Sequence, residues 1–333
     1  MVATIPWKPY SVLDREASDE FYYPSLYSLY HVAWVETGRA VLMQQHSVPA
    51  NSIIVFSLPM KQLLVCLFSV LALCGGVVQA KVNASVASPG ITQDDQEAVM
   101  WRRLIATRGD VRAQYNLGVI YANGQGVPQD YYEALKWFRL AAIQGNTLAQ
   151  YNLGVMYANG QGASRNYPAV AQWLHLAAAK KYARAQYSLG VMYSNGQGVP
   201  KDYQEAAKWY LLAAAQGNMR AQFNLGVLYA NGHGISQDHQ EAMKWYLLAA
   251  AQGYADAQNN LGLLYAEGRG VAQDYVHAYM WFSLAAAKGV SEAQGNRDEA
   301  ARKMTPSQIA EAQGMARDCK QRNYKNCDEG MVQ

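Results

Sequence analysis

Tryptophan recurs along this chain with a single period. Trp101, Trp137, Trp173, Trp209, Trp245 and Trp281 each stand 36 residues after the last. Four glycine columns keep the same spacing, starting at Gly109, Gly118, Gly124 and Gly126, and only Lys181 interrupts one of them. A unit of this length is one supersecondary element that cannot bury its apolar face alone, so successive copies must stack. The period therefore predicts a solenoid.

Within the first full unit, residues 113–148, Ala113, Leu117 and Tyr121 share one helical face. Ala134, Trp137, Phe138 and Ala141 share a face of a second helix. Asn123-Gly124-Gln125-Gly126-Val127-Pro128 separates the two, a run that stops helices and allows left-handed backbone. Asp130 with Glu133 predicts a reciprocal capping box at the second helix, repeated by Asp94/Glu97, Asp202/Glu205 and Asp238/Glu241. Four more units follow at 149–184, 185–220, 221–256 and 257–292. The Gly118 column, costly inside a helix, implies a close helix crossing, and the Trp column is read as the large knob packed between units. Residues 94–112 form an N-terminal half-repeat cap. Residues 293–333 form a C-terminal helical cap and tail, its last helix opening at Thr305-Pro306-Ser307-Gln308. The expected fold is all-α, a right-handed superhelical solenoid of helix-turn-helix repeats with about thirteen helices.

The string Leu117-Gly118-x-x-Tyr121-x-x-Gly124-x-Gly126-Val127-x-x-Asp130, continued by Ala134-x-x-Trp137-Phe138-x-x-Ala141-Ala142-x-x-Gly145, resembles the Sel-one-like repeat, a longer-looped relative of the tetratricopeptide repeat. The resemblance covers residues 94–292 and implies a scaffold or adaptor for protein–protein interaction, in bacteria often periplasmic or exported. Some cysteine-rich members are linked to binding or hydrolysing penicillins. This chain lacks their paired cysteines in every repeat.

Residues 60–80, MKQLLVCLFSVLALCGGVVQA, have the layout of a secretory signal peptide, with cleavage expected between Ala80 and Lys81. The mature chain would then be periplasmic or secreted, without a membrane span; an uncleaved anchor through 60–80 or a lipidated Cys74 are the alternatives. Residues 1–59 match no repeat and are read as an extension from an upstream start, and residues 81–93 as a linker. After cleavage only Cys319 and Cys327 remain, and in an oxidising compartment they form a plausible local disulfide.

Little in the sequence points to chemistry. His-Glu-x-x-His, Gly-x-Ser-x-Gly, Walker-type and Ser-x-x-Lys motifs are all missing. His175, His233, His239 and His277 replace different residue types in their columns and read as surface variation. A net charge of +3 with interspersed signs argues against nucleic acid as a partner. No cofactor or metal is implied, and no enzymatic activity is expected.

The expected function is a non-enzymatic, monomeric scaffold that binds a protein or peptide in the cell envelope through its concave groove. A β-lactam- or peptidoglycan-related hydrolase or binding protein is the alternative. First helices would line the groove, presenting Tyr115, Tyr151, Tyr187 and Phe223. By resemblance, Asn116, Asn152, Asn224 and Asn260 would hold a peptide main chain or terminal carboxylate. The aromatic and Asn columns fit groove binding and repeat packing equally well. Arg112, Arg184 and Arg220 vary with Leu148 and Asp256 at the helix starts and would supply specificity toward an acidic or carboxylate-ended partner.

Overall fold

The computed structural model describes residues 31–35, 39–43 and 92–328. They fall in two units. One contributes an antiparallel pair, β1 (His31–Val35) and β2 (Arg39–Met43), in the register that sets His31 opposite Met43 and Val35 opposite Arg39. No element was expected within residues 1–59, because apolar runs as short as HVAWV and RAVLM carry no readable period. The signal segment 60–80, its Ala80–Lys81 junction and Cys74 lie outside the described residues.

The other unit is all-α, with thirteen helices. A lone helix, α1 (Gln93–Thr107), opens it. Five hairpins follow: α2 (Val111–Asn123) with α3 (Tyr131–Ile143), then α4 (Thr147–Asn159) with α5 (Tyr167–Ala179). The third and fourth are α6 (Ala183–Asn195) with α7 (Tyr203–Ala214), and α8 (Met219–Asn231) with α9 (His239–Ala251). The fifth is α10 (Ala255–Glu267) with α11 (Tyr275–Ala286), before α12 (Ser291–Ala301) and α13 (Pro306–Gln321) close the array. Each first helix packs on its hairpin partner, and each second helix packs on the next first helix. Spatial neighbours are thus sequence neighbours, as a solenoid requires.

The crossing inside each hairpin is set by glycine. A Cβ on Gly118 would lie 2.5 Å from the Phe138 ring, and one on Gly190 would lie 2.5 Å from the Tyr210 ring. The residues opposite this column, Phe138, Leu174, Tyr210, Tyr246 and Phe282, are all at most 2% exposed. In the first four units they, rather than the tryptophans, are the deepest knobs; in the fifth, Trp281 is buried as fully as Phe282. Trp137 and Trp281 are buried, while Trp173, Trp209 and Trp245 are half-buried against the preceding unit's core. Trp101, with no described unit before it, is 64% exposed.

The loops stack through a second glycine. Gly162, at φ +73°, sits so close to the start of α3 that a Cβ would lie 2.2 Å from the Tyr131 carbonyl oxygen. Only a residue without a side chain allows that backbone approach.

Helix capping differs from the reciprocal boxes expected. Asp130, Asp202 and Asp238 do cap, each accepting from two backbone N–H groups. Glu133 does not reach back; it accepts from Lys136 and from Trp137 Nε1, while Glu205 and Glu241 pair with Lys208 and Lys244. The reason is that each cap's own N–H is already taken. Asp130 N–H donates to Tyr121 O at 2.9 Å, and Asp202 to Tyr193 O and Asp238 to Tyr229 O likewise. At the first helix the cap is Thr92 with Asp95, not Asp94 with Glu97; this and Thr305 with Gln308 are the reciprocal boxes.

The end of the array breaks the repeat. Helix α13 turns back onto α11 instead of continuing the zigzag. It joins the cluster that contains Met280 and Leu284, which are 0% and 4% exposed. In the earlier units the position of Leu284 is held by Leu140, Leu176, Leu212 and Leu248, all 40–49% exposed.

Candidate partner-binding groove

A half-open groove of about 1300 Å³ runs across the first helices of the last three hairpins and the start of α12. From α6 come Tyr187, Ser194 and Asn195. Helix α8 supplies Arg220, Phe223, Asn224 and Val227, and α10 supplies Asp256, Asn259, Asn260 and Leu263. The inter-helix loops add Lys201, His233 and Arg269.

The expected site residues divide on this geometry. Tyr187, Phe223, Asn224, Asn260 and Arg220 line the groove, whereas Tyr115, Asn116, Tyr151, Asn152, Arg112 and Arg184 do not. Burial explains part of the division. Tyr151 and Tyr187 are 4% and 7% exposed, their rings 5.1 Å from Tyr182 and 6.0 Å from Tyr210. Tyr115 is half-buried with its ring 5.8 Å from Phe138, and burial, then the nearby Tyr182, pushes its pKa up. Phe223 lies between Tyr246 and Tyr254, at 5.8 and 5.1 Å. The aromatic column thus packs on the deep knobs, and only its third and fourth members also border the groove.

The asparagine column is tied to the same rings. Asn152 approaches the Tyr115 hydroxyl, Asn224 that of Tyr210 and Asn260 that of Tyr246. In each case this partly offsets the upward push of burial on the phenol. Tyr210 is fully buried, and Ser194 Oγ stands 3.2 Å from its hydroxyl. Asn224 is 3% exposed, and its Nδ2 has no well-formed hydrogen bond among the described residues.

Sequence reasoning missed the loop contribution. His233 and His239, read as surface variation, both line the groove. The His233 ring stacks on the Tyr203 ring at 4.9 Å, and Lys201 Nζ stands 4.8 Å from the Tyr203 ring. The available signal was divergence within an otherwise constant column: Gln125, Gln161 and Gln197 give way to His233 and Arg269. Among the described residues, no three His, Cys, Asp or Glu stand where they could hold a metal ion, and no helix is long and apolar enough to cross a membrane.

Beyond the groove, Cys319 and Cys327 stand together with Cα atoms 5.1 Å apart. The turn between them brings Asp328 to the Tyr265 hydroxyl, which donates to Asp328 Oδ2 at 2.7 Å. Burial, then the Asp328 carboxylate, pushes the Tyr265 pKa up.

A model of the Sel1 repeat matches residues 87–110, 111–146, 147–182, 183–218, 220–254 and 255–290, more than half of the chain. The chain belongs to the Sel1 repeat family. Among solved structures, a Sel1 repeat protein from Oxalobacter formigenes is 33% identical, with a TM-score of 0.55 over 68% of this chain and 95% of the other. A protective antigen of uropathogenic Escherichia coli with an SLR fold is 28% identical, at TM-score 0.48 over 72% and 60%. A Sel1 repeat protein from Klebsiella pneumoniae is 23% identical, at TM-score 0.38 over 61% and 99%. Among curated proteins, none matches. Sel1 repeats mediate protein interaction, and this array is a repeat solenoid of that kind.

Proposed function

We propose that this Sel1 repeat protein is an exported, non-enzymatic scaffold that holds a segment of a protein partner in the groove across α6, α8 and α10. The observation that carries this reading is the groove itself: a volume of about 1300 Å³ with apolar Phe223, Val227 and Leu263 beside Arg220, Asp256 and Asn260. Apolar contact area bounded by groups that fix orientation is the composition of a peptide-binding surface. Export rests on the signal-peptide layout of residues 60–80, and an oxidising compartment would keep Cys319 and Cys327 bonded.

The test is a crosslinked pull-down from envelope extract with the full chain, tagged at its C-terminus, beside an Arg220→Glu, Leu263→Arg double variant of equal helicity. A partner held by the native chain and lost from the variant supports the scaffold; identical captures place binding on another face. N-terminal sequencing of the exported chain should begin at Lys81, and a chain retaining Met1 would end the export reading.

A further inference from the structure

We propose that the groove reads charge order along an extended peptide, with its acidic stretch toward α6 and α8 and its basic stretch toward α10 and α12. The proposal rests on the groove reading above and adds the class of segment bound. The second residue of each first helix is, in order, Arg112, Leu148, Arg184, Arg220, Asp256 and Glu292. The repeat places these six in one register, so they line one edge of the array. Along that edge every charge through α8 is positive, with Leu148 neutral and Arg184 standing outside the groove, and the sign reverses between Arg220 and Asp256. The groove straddles the reversal, since Arg220, Asp256 and Glu292 all line it.

Helix formation does not account for this column. Asp256 and Glu292 suit the positive end of a helix dipole, but an arginine in the first turn opposes it, and three helices carry one. The opposite edge, with Lys201 and Arg269 around Glu267, has no such order. Charge order on one edge only fixes which way a segment lies. Complementary charge sets register and suppresses wrong partners more than it adds affinity.

Fluorescence anisotropy on the full chain tests this with two labelled peptides of one composition. One has a block of glutamates, a Gly-Ser spacer and a block of lysines; the other interleaves the same residues. The block peptide should bind about five-fold tighter or more, the gap closing at high salt. A photo-crosslinker at its acidic end should mark α6 and α8. In the variant Arg184→Glu, Arg220→Glu, Asp256→Lys, Glu292→Lys, the mark should move to α10 and α12. Equal affinities that Leu263→Arg abolishes together would overturn the charge-order proposal and leave the groove intact. Binding by neither peptide would overturn both. A crosslink position unmoved by the charge swap would overturn charge order alone.

Discussion

The Gln216 side-chain amide donates to Gln186 Oε1 at 2.6 Å, while Gln186 donates from its own Nε2 to the Ala178 carbonyl at 3.2 Å. The same relay joins Gln144 to Gln114 and the Ala106 carbonyl, and Gln252 to Gln222 and the Ala214 carbonyl. The inner glutamines are 3–4% exposed, so each bond gives a helix-end carbonyl, which already accepts from one backbone N–H, a second donor away from water. In the other two units a lysine replaces the outer glutamine. Lys180 donates to Gly145 O and Lys288 to Gly253 O, leaving Gln150 and Gln258 Oε1 without a partner among the described residues.

Gln186→Ala should cost about 0.5–1.5 kcal/mol, because it removes both bonds of the relay while the Ala178 carbonyl still accepts from Lys181 N–H and the Gln216 amide still donates to Leu212 O. Urea unfolding at constant m-value measures this. A loss below that range would show that water replaces the relay.

Gly190→Ala and Gly154→Ala should differ sharply. At Gly190 the new methyl meets the buried Tyr210 ring at 2.5 Å, and overpacking of this kind costs about 1–3 kcal/mol. At Gly154 it meets Leu174 Cδ2 at 3.2 Å, a flexible end that can yield. There the gain of about 1 kcal/mol in helix propensity offsets the contact. Melting curves of the two variants should rank them in that order.

Lys181→Gly should stabilise by about 1 kcal/mol. Lys181 holds φ 63° where the other units place Gly145, Gly217, Gly253 and Gly289, and a side chain in left-handed backbone carries a cost of that size. An unchanged unfolding midpoint would show that the lysine side chain compensates.

His175 should make stability fall with acid. Burial lowers its pKa below the ordinary value of 6.5, with Glu205 opposing. Its ring lies 5.4 Å from Trp209, and its Nε2 is 3.4 Å from the Tyr193 hydroxyl. The unfolded chain therefore binds this proton more readily, so stability is full above pH 6.5 and declines as pH drops toward the folded pKa. In His175→Gln, unfolding curves between pH 7.5 and 5 should lack that decline.

The solenoid was legible because every unit restates the same pattern: one misread residue is outvoted by its copies. The Gly118 column even announced a close crossing, though not that its partner would be Phe138 instead of Trp137. Side-chain partners were less legible. Asp130 with Glu133 spells a capping box, yet the box needs a free N–H, and only the fold shows that Tyr121 O has taken it. The groove was harder still. Tyr115, Tyr151 and Tyr187 share a column, but curvature and end effects give the copies unequal surroundings, and only Tyr187 borders the opening. His233 and Arg269 matter because they differ from their column, a signal that repeat detection discards.

The backward turn of α13 fixes how an array like this can change length. With Met280 and Leu284 roofed over, a unit appended after α11 would have to displace that roof, and Met280 would stand exposed where the earlier units carry Lys136, Gln172, Lys208 and Lys244. A duplication inside the array meets no such obstacle. Copy number is therefore free to drift upstream while termination stays constant, and a copy of a unit that opens on Arg112, Arg184 or Arg220 would lengthen the arginine-bearing edge and move the charge reversal farther from α1.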